Sequence, residues 1–138
     1  MSVHDEKIIL AHEVNYEKDF KKKAILELYS SRARLVHKDD AKPSLDLILS
    51  DLTGCQCMKG KNEADVASYL SLYYYKHKKH LLKAKTKRTR NVLVLQFKSK
   101  STYEENQKTA DEIRTILFNF LKTNTIEGFF NDLCALTV

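Results

Sequence analysis

Glycine and proline are scarce in this chain: Gly54, Gly60, Gly128 and Pro43 are all there are in 138 residues. Such a sequence has no long flexible linker. It also has no glycine-rich loop of the kind that brings backbone close to phosphate at adjacent positions. Long apolar runs are missing too. None approaches the roughly 20 residues that span a bilayer. The opening Met1-Ser-Val-His-Asp-Glu-Lys7 lacks a basic region followed by an apolar one, so no secretory signal is read there. The cysteines, Cys55, Cys57 and Cys134, are odd in number, which suits a reducing compartment better than a disulfide framework. A single cytoplasmic domain is the expectation.

What is present is concentrated charge. The formal net charge is +6, yet Lys76, Lys78, Lys79, Lys83, Lys85, Lys87, Arg88 and Arg90 fall within one stretch that contains no acid, and the remainder of the chain sums to −2. The basicity therefore characterises one segment and not the whole surface.

Period-two alternation with short spacers predicts antiparallel strands. These cover Ile8–Val14, Ala24–Tyr29, Ala33–His37, Cys55–Met58, Tyr69–Tyr75 and Asn91–Phe97, with Leu45–Leu49 either a strand or a helical turn. Ile25 falls opposite Leu26 and Leu28, and Val92 and Val94 fall opposite Leu93, Leu95 and Phe97. The basic stretch is then the loop of the last hairpin. Beyond it the period changes. Tyr103, Asn106, Ala110, Ile113, Leu117 and Phe120 mark one face of an amphipathic helix over about 103–122. Ser101 with Glu104, and Thr102 with Glu105, offer two overlapping capping boxes at its start, where both acids also suit the helix dipole. About seven strands and one closing helix make a mainly β fold with α, a bent antiparallel sheet or sandwich of pleckstrin-homology type. An unrelated strand-rich sandwich ending in a helix is the alternative.

One succession is more specific than a fold. Gly54-Cys55, then Ser68-Tyr-Leu-Ser-Leu-Tyr-Tyr-Tyr75, a basic segment, Val92-Leu-Val-Leu-Gln-Phe97 and Thr102-Tyr-Glu-Glu-Asn106 resemble the region that precedes the catalytic domain of sphingosine kinases. The resemblance covers about residues 22–122. It departs where that family often places Tyr-Pro, since Lys76 follows Tyr75 here. The resemblance implies a parent enzyme that uses ATP and Mg to phosphorylate the sphingosine primary hydroxyl. It implies no catalytic or cofactor residue in this chain, because neither an Asn-Pro-x-x-Gly loop nor a Ser-Gly-Asp-Gly segment occurs. Residues 1–124 are then a non-catalytic targeting or regulatory domain. Residues 125–138, carrying Ile126, Phe129, Phe130, Leu133 and Leu136, either lead to the catalytic domain or fold back onto the sandwich.

The basic residues 76–90 are the best candidate contact with an anionic membrane, at roughly 1 kcal/mol per residue near the surface, provided that they face one way. A merely solvated loop is the plainer reading. Docking onto the parent's own catalytic domain is a second role. Lys18, Lys21, Lys22 and Lys23 lie between the first two strands, but Ala24–Tyr29 carries no basic partner, so a stereospecific inositide site is incomplete. Cys55 and Cys57 with His77 and His80 invite a zinc reading. The C-x-C spacing is tighter than usual for zinc, and small core residues explain the cysteines as well. Tyr69, Tyr73 and Tyr75 share a strand face that could stack bases or pack against a sheet. A nucleic-acid-binding module is therefore the functional alternative, with no specific nucleic acid expected.

Without a phosphate-cradling loop, the purified chain should show neither heat of Mg-ATP binding by calorimetry nor transfer of labelled phosphate to sphingosine. Measurable turnover would overturn the non-catalytic reading.

Overall fold

The computed structural model describes residues 7–40, 42–79 and 86–137, with 77–79, 86–88 and 122–137 given by backbone alone. Seven strands and one helix follow in order: β1 (Leu10–Tyr16), β2 (Lys22–Leu28), β3 (Arg32–Val36), β4 (Leu45–Ile48), β5 (Leu52–Lys59), β6 (Ser68–Lys79), β7 (Thr86–Phe97) and α1 (Tyr103–Thr137). Leu45–Ile48 is a strand, and the single 3-10 turn Leu49–Asp51 that follows it completes the apolar segment read either way from sequence.

All pairing is antiparallel, in the order β4-β3-β2-β1-β7-β6-β5. Hairpins join every neighbouring pair except β1 and β7, which meet from opposite ends of the chain. The sheet bends at one place. β1 and β7 share a single residue pair, Asn15↔Gln96, whereas β1 and β2 pair along seven positions, Leu10↔Leu28 to Tyr16↔Lys22. This is the pleckstrin-homology-like layout: a bent, open seven-stranded sheet with one C-terminal helix laid against it.

Alternation decides what is buried. Leu26 and Leu28 are inside while Ile25 between them is exposed, and Leu95 and Phe97 are inside while Val92 is exposed. The core collects one phase of every strand, and α1 adds Ala110, Ile113 and Leu117 from consecutive turns of one helix face. Phe120, on the same stripe, is only half-buried, together with Ile116 and Leu121.

The helix start is built by two side chains. Thr102 is the cap: its hydroxyl accepts from the Glu105 N–H at 3.3 Å and its carbonyl from the Asn106 N–H at 3.2 Å. Of the two overlapping boxes, the backbone thus uses the Thr102 one. Asn106, 1% exposed, is a clasp on the apolar stripe. Its Oδ1 accepts the Lys100 N–H at 2.9 Å, and its Nδ2 donates to the carbonyls of Val66 at 2.8 Å and Lys100 at 3.1 Å. Asn106 therefore ties the first turn of α1 to the β5–β6 and β7–α1 connections. The helix runs to Thr137, past the end expected at 122, so positions 125–137 of the expected connector are helical.

Leu117→Ala should lower stability by about 2–5 kcal/mol, since it empties a fully buried site. Glu112→Ala, on the exposed face, should stay within about 0.5 kcal/mol of the parent. Chemical-denaturation midpoints measure both.

Candidate docking surface

The segment expected as a loop is mostly strand. β6 and β7 pair without a break from Ser68↔Phe97 through Tyr75↔Arg90 and Lys76↔Thr89 to Lys79↔Thr86. Pairing continues there because tyrosine, threonine and the branched residues of both strands suit extended backbone, and the inner half has already set the register. Meanwhile β5 pairs with β6 only as far as Leu52↔Tyr74. Positions 75–79 thus run about 17 Å beyond the last β5 partner. Among the described residues, only β7 pairs with them.

This geometry corrects the premise that the basic residues face one way. Directly opposed residues share a face, and successive residues alternate. By register, positions 76, 78 and 87 fall on one face of the ribbon and 79, 88 and 90 on the other, with Lys78 opposite Lys87 and Arg88 opposite His77. The ribbon splits the six paired basic positions three and three. Lys76 and Arg90 are exposed, while Lys83 and Lys85 lie outside the described residues.

Six residues back along β6 from the start of the ribbon, the outer face carries a directed hydrogen-bond chain. The Asp65 carboxylate accepts from the Tyr69 hydroxyl at 2.7 Å and from the Ala67 N–H at 2.9 Å. Tyr69 Oη accepts from Gln96 Nε2 at 3.2 Å, and Gln96 Oε1 accepts from Asn15 Nδ2 at 3.0 Å. The carboxylate can only accept, so it orients each group in turn. These two bonds and the nearby Lys98 hold the Asp65 carboxyl below its usual range, against a smaller opposing effect of burial. Burial, and then the Asp65 bond, push the Tyr69 phenol up. Gly60 makes room for this arrangement: a β-carbon there would stand 2.5 Å from Asp65 Oδ2. The Phe20 ring covers Tyr69, with centroids 5.2 Å apart.

Phe20 belongs to the β1–β2 connection, where Glu17, Asp19 and Phe20 all have positive φ (66°, 58° and 53°). Of the four lysines read as that loop, Lys22 and Lys23 stand in β2, so strand β2 begins with two basic residues that the Ala24–Tyr29 reading left outside it. Lys22 pairs with Glu17 at 3.1 Å, and that bond raises the pKa of its ammonium. Lys23 lines a cavity of about 250 Å³ with Glu13, Asn15, Lys98 and Ser99, so an acid stands among these lysines.

The remaining candidates fall elsewhere. Cys55 and Cys57 share the core-side face of β5 under α1. Cys55 Sγ lies 3.8 Å from the Arg114 carbonyl, and burial pushes both thiols up. His80 is outside the described residues, and among those described no three His, Cys, Asp or Glu side chains cluster to hold a metal ion. Tyr69, Tyr73 and Tyr75 share the outer face, and Tyr74 packs against the core. Sequence reasoning missed Asn15, Asp65 and Gln96. Asn15 meets Gln96, and Gln96 meets Tyr69, across 81 and 27 residues of chain, whereas Asp65 bonds locally to Ala67 and Tyr69 within a segment read only as a polar loop.

Among the described residues no helix is long and apolar enough to cross a membrane. No protein-family model matches the chain, and no curated protein matches it.

Asp65 yields a pH test. Its folded-state pKa is depressed, so its contribution is present above the ordinary carboxylate range and is lost as pH falls through the folded value. The stability difference between the parent and Asp65→Asn should be largest near neutrality and shrink as the pH falls through the folded value. Denaturation midpoints across that range measure it, and a difference independent of pH would contradict the ionised Asp65–Tyr69 bond.

Proposed function

We propose that the chain is a non-catalytic, pleckstrin-homology-like docking domain that reaches an anionic membrane surface through the β6–β7 ribbon, within a cytoplasmic sphingosine kinase. The observation that carries this reading is the ribbon itself. It extends past every other strand partner and bears basic residues with no acid between Lys76 and Arg90. Two features of the resemblance gain physical sense from the fold. The aromatic run of β6 forms the base of the ribbon. The Asn of Thr-Tyr-Glu-Glu-Asn is the buried clasp at the start of α1. Catalysis by ATP and Mg belongs to the parent enzyme, whose own catalytic domain is the second docking partner this reading allows.

The attraction is electrostatic and not stereospecific. The four lysines of the β1–β2 region include one held by Glu17 and one beside Glu13, which suits a diffuse positive field better than a cage for one head group. Exposed charges act over about 8 Å at physiological salt, so binding fades as salt rises.

Sedimentation with phosphatidylserine vesicles at two salt concentrations tests this. Replacing Lys83, Lys85, Lys87 and Arg88 together with glutamine should abolish co-sedimentation and leave the melting temperature nearly unchanged. Equal sedimentation with neutral and anionic vesicles would reject the mechanism. Tight binding of single-stranded RNA with no vesicle binding would replace it with a nucleic-acid role.

A further inference from the structure

An open strand edge is a template for another chain, because its outward N–H and C=O groups are already spaced for pairing. β6 has such an edge where β5 stops. Pairing ends at Leu52↔Tyr74, the 3-10 turn Leu49–Asp51 leads the chain away to β4, and positions 76–79 keep only β7 across from them among the described residues. A second segment has room to continue the line that β5 leaves.

Two cavities flank this point. One, of about 380 Å³, lies by the solvent-facing phase of the strands, against Gly54, Tyr73, Tyr75 and Arg90. Arg90 is the one charged residue in its lining. The other, of about 350 Å³, opens between β4 and β6 and is walled by Leu45, Leu47, Ile48 and Tyr74 along with Lys76, Asp46 and Asp51. Asp46 is already paired with Arg32 at 3.0 Å. Tyr74 and Tyr75 line both cavities, so both open beside the start of the free edge, where an added strand places successive side chains on opposite faces. The first cavity offers a guanidinium between phenol rings, which suits a carboxylate. The second, with apolar walls and two carboxylates of its own, suits an apolar side chain and disfavours an acid.

We propose that the free edge of β6 at Lys76–Lys79 binds an extended peptide in which acidic and apolar residues alternate, added as a strand in line with β5. The basic segment supplies the complementary charge, and the backbone supplies the register. This site shares the ribbon with membrane docking but does not depend on it.

The probe is a capped heptapeptide of alternating glutamate and valine, labelled for fluorescence anisotropy and titrated with the full chain. In an added strand the amides of one alternate set face the edge and those of the other face solvent. N-methylation of one set should therefore weaken binding at least tenfold, while methylation of the other set leaves it within about twofold. Hydrogen exchange should slow at positions 76–79. Charge attraction alone would treat the two methylated peptides alike, and that result overturns the proposal. So does equal binding of a peptide with the same composition and its glutamates in one block, or protection that appears along 86–94 on the other edge of the ribbon. Arg90→Gln should weaken the parent peptide several-fold with an unchanged melting temperature, and an unchanged affinity would remove the carboxylate pocket.

Discussion

The structure depends on a corner. Two groups of strands, β2–β4 beside β1 and β5–β6 beside β7, meet in one sheet where β1 pairs with β7 at Asn15↔Gln96, with the His12 and Phe97 ring centroids 5.7 Å apart beside it. A single backbone rung is a weak joint, and the side chains reinforce it. Asn15 and Gln96 bond to each other, and Gln96 passes the constraint through Tyr69 to Asp65, which the β5–β6 connection holds in place. β1, β7, β6 and the β5–β6 connection are fastened by one directed chain that ends on a carboxylate. Charge-assisted bonds are the stronger kind, so the anchor sits where the chain most needs it.

Everything beyond the corner follows from having only one such joint. Because β1 leaves β7 at once, and β5 leaves β6 at Tyr74, the paired strands 75–79 and 86–90 continue alone. A two-stranded ribbon with no further cover is marginal in water, so lysines and arginines along it serve two ends. They keep the open edges from pairing at random, and they make the ribbon the most positive element of the fold. Its two-sided alternation limits how many charges one flat surface can use. The same alternation gives a neighbouring strand a different chemistry on each face.

Much of this was legible from residues. The strands betray themselves by alternation because one face is buried and the other is wet, as with Ile25 between Ala24 and Leu26. The start of α1 was legible because caps are local chemistry. Its continuation is marked too. Beyond position 122, Ile126, Phe129, Phe130, Leu133 and Leu136 recur at helical spacing, a mark that reading the segment only as a connector passes over. The length of β6 and β7 was hidden for a different reason. Where both faces are wet, alternation disappears, and polar strand reads as loop. Asn106 was legible as a position on the stripe but not as a clasp, since its partners, Val66 and Lys100, come from tertiary packing. The Asn15–Gln96–Tyr69 part of the hydrogen-bond chain left no trace before the strand order was known.

The claim that matters most is that the corner frees the ribbon to be the contact surface. Amide line broadening in the nuclear magnetic resonance spectrum, recorded as phosphatidylserine vesicles are added to the full chain, locates the contact residue by residue. The account predicts broadening confined to positions 75–90, with the β1–β2 connection and the Asn15–Gln96 corner unaffected. Broadening centred on positions 17–23, with the ribbon amides unchanged, would contradict it.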